Sequence, residues 1–504
     1  MLKRFFKSPL RLLFFFNAIY ILLYSVAIDR IPMIAIDESW SAMIALNHWG
    51  KQDYLYSFNY GENIFFCYFY LLALFLDNFG VSLANVRGFS ILIGGISLNV
   101  FYALLCLFTQ KKRILFIGMS LLITHNLFLV FMRWGRLEAL LILFVVTFLY
   151  FLSYAVVYKK EAALFFAGIF CSLCVLTHPF NLIFMSLVLA LLWRFNLRIK
   201  QSYLYFLSGC FLIFIIFFSN LIFLNLDYAK NELLNDSLNR SLFSSKDTYV
   251  LKQVLDNFIV FFQSYTLGIK RLYIFCFEIF VLCFCSIRYR TQSFCSNLSL
   301  IGIGTFIISM IFLMPFRARF MGAVVLIVLV LSLLMLMNEK GKLKKLLSVL
   351  LSLYMMNHMI GDFYFCYLHR HNTSYQDIAN HLQAAIPSKA KVLAPIQFWL
   401  ALPQHTVLTE VHDEFRLKGL SAKKASQKAL EESDYFVFSP YFLKDVSPTS
   451  GERPVNVKLS ESEFLLSLQT ATLKSQEWEA ILKIKAHPYK EIGVYKKIQR
   501  GINE

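Results

Sequence analysis

Apolar runs about as long as a bilayer is thick, each ended by a short polar break, dominate residues 1–361. A hydrocarbon core about 30 Å across takes roughly 17 to 25 apolar residues in a helix. Strand-like alternation is absent over most of the chain, so the runs predict a helical bundle rather than a barrel. Helices are predicted near 9–28, 86–108, 114–131, 138–157, 162–177, 180–193, 203–224, 270–287, 298–314, 320–337 and 345–361. One further run, 62–79, is short, aromatic and flanked by acids, and is read as lying in the outer interface. That leaves about 11 transmembrane helices.

The pattern changes at residue 362. From there to 504, Lys and Glu occur throughout, and KVLAPI, TVLTEV, YFVFSP and EIGVYKKI alternate with the helical stretches YQDIANHLQAAI and SAKKASQKALEES. A segment of this length, about 140 residues, can bury its own core. The predicted fold class is mainly α: a polytopic helical membrane protein in 1–361 with a small extracytoplasmic α/β domain in 362–504.

Composition supports the membrane reading. The chain is 58% hydrophobic and 16% charged, with a mean hydropathy of +0.59, too apolar for a surface that faces water throughout. The net charge of +18 would suggest nucleic acid in a soluble protein, but the basic residues cluster in the breaks between runs, as the positive-inside rule requires. Lys3, Arg4, Lys7 and Arg11 place the N-terminus in the cytoplasm. The breaks at Lys111–Arg113, Lys159–Lys160, Arg194–Lys200, Arg288–Arg290 and Lys340–Lys345 then all fall inside. The start could mimic a signal peptide, yet no small-residue cleavage site follows, so it is read as the first helix. The cysteines lie almost entirely in apolar segments and read as buried small hydrophobes.

The same topology delivers the polar motifs to the outer side. In IAIDESWSAMIALNHWG, Asp37 and Glu38 follow the first helix and open an amphipathic helix on the membrane surface. Carboxylates beside a bilayer are solvated, paired or working, and the pair is a catalytic candidate. FMRWGRLEALL carries Arg133, Arg136 and Glu138. Arginine forks suit a lipid-linked phosphate or a structural ion pair, and the i, i+2 spacing of Arg136 and Glu138 does not put them on one helix face. Glu138 opens a helix, where its charge complements the dipole. His178 in THPFN and Arg317 and Arg319 in PFRARF complete the candidate substrate-binding set. No P-loop, GxGxxG, HExxH or GxSxG stands in its required context, so ATP-driven transport and common hydrolysis lack their signatures.

These residues resemble the GT-C superfamily of membrane glycosyltransferases, in its protein O-mannosyltransferase and aminoarabinose-transferase-like branch. IDESW is similar to the acidic motif of the family's first outer loop, and RLEALL to its R-P-E-x-L sequence, with Leu137 in place of proline. THPFN resembles a His-Pro break and PFRARF a late outer arginine segment. The resemblance implies a GT-C-like transmembrane catalytic domain and inverting transfer of a sugar from a polyprenyl phosphate. The acceptor would be a lipid, glycan or protein on the extracytoplasmic face of a bacterial inner membrane. It implies Asp37 as catalytic or acceptor-orienting carboxylate, with Glu38 beside it. No nucleotide site is required; no cofactor is assigned, and a divalent metal stays open. Two rival classes also stay open: a transporter or flippase for an anionic glycolipid, and a noncatalytic scaffold. Inverted repeats would favour the transporter, and none is apparent.

Overall fold

The computed structural model describes residues 9–32, 34, 36–48, 67–177, 181–195, 197–223, 272–290, 293–312, 321–403, 406–408, 430–439 and 478–498. The chain divides into two compact units. The first comprises Met1–Val26, Asn59–Tyr68 and Ser90–Tyr364, and the second Ala27–Phe58, Phe69–Phe89 and Phe365–Glu504.

The first unit is helical. Among the described residues, four helices, Leu83–Phe108, Glu138–Tyr158, Ile199–Phe217 and Gly341–His369, are long and apolar enough to cross a membrane; counting one bent pair as a span makes five. Shorter apolar helices include Ala163–Thr177 and Gly322–Asn338. The Gly322–Asn338 segment is buried almost along its whole length, as a helix apolar on every side must be at the centre of a bundle. Tyrosines of the Pro9–Ser25 helix fix its neighbours: Tyr20 Oη donates to the Ile91 carbonyl at 2.9 Å and Tyr24 Oη to that of Ile123 at 2.7 Å.

Helices Ala163–Thr177 and Ile199–Phe223 pack backbone to backbone. A Cβ on Gly168 would stand 2.1 Å from the Phe206 carbonyl oxygen, and one on Gly209 would stand 2.0 Å from that of Phe165. Lipid tails are as apolar as leucine, so helices gain attraction in a membrane by such close approach over small residues.

Most predicted helices fall within a few residues of their observed bounds, with two differences. The run 114–131 is two helices, Lys112–Ile123 and Asn126–Arg133, bent by 56°. Thr124 Oγ1 back-bonds to the Ser120 carbonyl at 2.8 Å, and His125 caps the second helix by accepting from Leu127 N at 3.2 Å. A side chain that satisfies an orphan amide starts a new helix where hydropathy sees an unbroken run. The last long helix continues past residue 361 to His369.

In the second unit a five-stranded mixed sheet has the order β2-β1-β3-β5-β4. Its strands are β1 Lys391–Leu393, β2 Thr406–Leu408, β3 Tyr435–Phe438, β4 Trp478–Ala486 and β5 Lys490–Lys497. β1 is parallel to β2 and β3, with Leu393 opposite Phe436, whereas β5 is antiparallel to β3 and β4. Leu393, Phe436, Phe438, Trp478 and Tyr495 form its buried cluster. The Tyr375–Ala385 helix starts at Ser374, whose Oγ accepts from Asp377 N at 3.3 Å and also bonds Asp29. β1, β2, β3 and β5 coincide with the predicted alternating runs.

Candidate functional site

The Ile36–His48 helix carries IDESW in its first turn. Negative charge in a helix's first turn complements the positive end of its dipole. Glu38 is fully buried and takes a two-pronged bond from Arg87, Nε to Oε1 at 2.7 Å and Nη2 to Oε2 at 2.8 Å. Arg87 Nη1 also donates to the carbonyls of Ile28 and Pro32 at 2.7 and 2.9 Å. One guanidinium thus ties this helix to the chain segment that enters it.

Behind the helix lies the 3-10 turn Ile396–Ala401. The Gln397 carbonyl accepts from Tyr375 Oη at 2.7 Å and from Ser39 Oγ at 3.5 Å. Burial raises the Tyr375 hydroxyl well above the ordinary phenol pKa, with further upward contributions from Tyr489 and Glu38. It remains a neutral donor, and Glu38 serves as an anchor that positions the first turn. Asp37 belongs to the same turn, with its side chain outside the described residues.

Arg133, Arg136 and Glu138 lie in the first unit. Arg133, buried at the end of Asn126–Arg133, donates from Nη1 to the Leu23 carbonyl at 3.1 Å and from Nη2 to that of Val26 at 2.7 Å. A cation on the last carbonyls of the Pro9–Ser25 helix caps it and complements its dipole. Arg136 and Glu138 form an ion pair at 3.0 Å, contrary to the expectation from their spacing. Arg136 precedes the helix that Glu138 opens, so the turn rather than the helical period aims its side chain. Its guanidinium also lies 5.3 Å from the Trp134 ring centre. His178, Arg317 and Arg319 lie outside the described residues.

Two groups of functional interest escaped the sequence reading. Arg87 was absorbed into the predicted helix 86–108, although a charge inside an apolar run is itself a signal that a partner exists. The other is the buried triplet His125, Glu278 and His358, which offers one ligand atom each, all within 4.8 Å of one another. Its members come from three helices far apart in sequence, so no spacing motif announces them.

No family model matches this sequence, and no curated protein matches it. Among solved structures, ArnT from Cupriavidus metallidurans bound to undecaprenyl phosphate superposes with a TM-score of 0.61 at 12% identity, covering 95% of this chain and 97% of that one. The chain has the ArnT fold. The apo state of the same ArnT matches with a TM-score of 0.54 at 11% identity and the same coverage. At this identity the likeness to ArnT is one of fold, and it extends through the helical region into the C-terminal sheet.

Proposed function

We propose that this protein is an integral-membrane glycosyltransferase that moves a sugar from a polyprenyl-phosphate donor to a hydroxyl acceptor on the extracytoplasmic side. The observation that carries the reading is the likeness to ArnT along nearly the whole chain, with one of the matched structures bound to undecaprenyl phosphate. The IDESW turn supports it from the sequence side. In this reading about 11 helices cross the bacterial inner membrane, the N-terminus is cytoplasmic and the sheet-bearing segment is periplasmic, as positive-inside charge requires.

The chemistry is a direct displacement. The acceptor oxygen attacks the anomeric carbon, the bond from that carbon to the phosphate oxygen breaks, and the electron pair leaves with the polyprenyl phosphate. Asp37 takes the acceptor proton as general base, a task that requires an ionised carboxylate. The Glu38–Arg87 pair holds the turn that carries Asp37. Arg317, Arg319 and His178 are assigned to the phosphate, where cations stabilise the departing charge. Arg133, Arg136 and Glu138 are assigned to support of the helix ends that they bond.

Purified protein in lipid nanodiscs, given a panel of polyprenyl-phosphate sugars and a delipidated envelope extract, tests the reading. Transfer of label by the wild type, with a loss of at least 100-fold in Asp37→Asn at unchanged folding, is the expected result. Transfer undiminished in Asp37→Asn would remove that residue from catalysis. Movement of the labelled donor across vesicles without transfer would instead establish transport.

A further inference from the structure

A buried glutamate, Glu278, lies in the helix LYIFCFEIFVLCFCSIR, where a carboxylate is costly unless it is paired and hydrogen-bonded. Glu278 is 1% exposed, and beside it stand the imidazoles of His125 and His358, themselves 0% and 3% exposed, together with the Tyr354 hydroxyl. His125 Nε2 stands 3.8 Å from Glu278 Oε1, and the two rings lie 4.1 Å apart with planes inclined by 33°. One dication bound by both rings and the carboxylate would draw the three donors together and neutralise the carboxylate.

We propose that His125, Glu278 and His358 bind a single divalent metal ion of the zinc class. Two imidazole nitrogens and one carboxylate form a donor set that suits zinc with a fourth position open. Tetrahedral coordination at zinc–ligand distances of 2.0–2.1 Å places donors about 3.3 Å apart. The three donor atoms here already lie within 4.8 Å of one another, a gap that small side-chain rotations close.

The surroundings orient the donors as outer-shell groups do. Asn126 Nδ2 donates to the His358 carbonyl at 2.9 Å and also bonds Asp362, and His358 Nδ1 lies 2.8 Å from Asn126 Oδ1 and accepts from Asn126 N at 3.2 Å. With Nδ1 held against Asn126, His358 ligates through Nε2. Tyr354 Oη lies 3.0 Å from His125 Nε2 and donates to Glu278 Oε1 at 2.8 Å, so it stands beside the ion as a fourth ligand or its hydrogen-bond partner.

Loading moves the His125 proton from Nε2 to Nδ1 and exchanges the capping bond from Leu127 for a coordinate bond. The ion joins the 56° break between Lys112–Ile123 and Asn126–Arg133 to Leu272–Arg288 and Gly341–His369. It acts as a staple on that break, and the proposal is independent of the transferase reading.

Tag-free full-length protein in detergent, stripped with chelator, loaded with zinc or cobalt(II) and desalted, provides the test. The wild type is expected to retain about one equivalent of zinc by mass spectrometry and to show the visible bands of four-coordinate cobalt. Glu278→Gln and His358→Gln are expected to lose both signals at least tenfold, while Ser348→Ala, which removes an exposed hydroxyl elsewhere on the His358 helix, retains the metal. Zinc should raise the thermal midpoint of the wild type and of Ser348→Ala but not of the glutamine variants. If those variants fail to fold, the wild-type cobalt spectrum and its zinc-dependent midpoint decide. Wild type that keeps no metal, or a folded Glu278→Gln that keeps as much as wild type, overturns the proposal.

Discussion

Removing one side of the Glu38–Arg87 pair should loosen the Ile36–His48 helix, and removing both should largely restore it. Arg87→Met leaves Glu38 as a buried charge, and Glu38→Leu does the same to Arg87. Breaking a buried pair from one side costs about 3–5 kcal/mol, so the singles together would cost roughly 6–10 if they acted independently. The double variant retains no buried charge. Its remaining loss is the donor that Arg87 gives to the Ile28 and Pro32 carbonyls, about 1–3 kcal/mol for each carbonyl left unsatisfied. Two carbonyls make roughly 2–6 kcal/mol, so against roughly 6–10 for the singles the coupling energy is expected to be about 4 kcal/mol at mid-range.

Hydrogen exchange of the Ile36–His48 amides reads this locally, because exchange through opening reports the free energy of that element. At about 1.4 kcal/mol per tenfold, each single variant should exchange roughly 100-fold faster or more, and the double less than the worse single. Singles within about fivefold of wild type, or a double equal to the product of the singles, would refute the reasoning.

Packing and capping give further expected outcomes. Gly168→Ala and Gly209→Ala each force a Cβ into a backbone carbonyl, so each should cost about 1–3 kcal/mol and lower the thermal midpoint. A thiol-reactive dye reads this through Cys171, Cys174 and Cys210, which are buried on the same two helices. Gly88→Ala, with no atom within 4 Å of its Cβ, is the control and should be neutral or slightly stabilising. Ser374→Ala removes the cap of Tyr375–Ala385 and should cost about 0.5–2 kcal/mol, visible as faster exchange in the first turn of that helix alone.

What hydropathy could read was the existence of the helices. Length and composition place Glu138–Tyr158 almost to the residue, because a polar turn at each end leaves the run no other way to satisfy its backbone in lipid. The same averaging hides the break at Thr124 and His125, since two polar residues barely lower the mean of a long apolar window. What ends that helix is a pair of local hydrogen bonds, and these depend on side-chain geometry. β4 escaped for a related reason: Trp478 and Ile484 alternate imperfectly with exposed positions, and the register shifts between Ala480 and Leu482. Arg136 and Glu138 show the opposite error, a helical rule applied one turn too early.

The residues that hydropathy discards hold much of the tertiary information. Arg87, Glu278 and Glu339 each sit in or at the end of an apolar run, and each has a named partner from a distant segment. Arg87 takes Glu38, Glu278 takes Tyr354 beside His125, and Glu339 takes Tyr289 at 2.7 Å and Arg288 at 3.4 Å. An ionised group in such a place is too costly to persist by chance, so every one of them marks a contact that must form. The partner cannot be named from one sequence, because the pairing crosses helices whose order in space is unknown until they pack. That is why IDESW could be picked out as a candidate while the arginine that holds its helix could not. The carboxylate lay at a polar break where chemistry is sought, and Arg87 lay inside a run where only length was being counted.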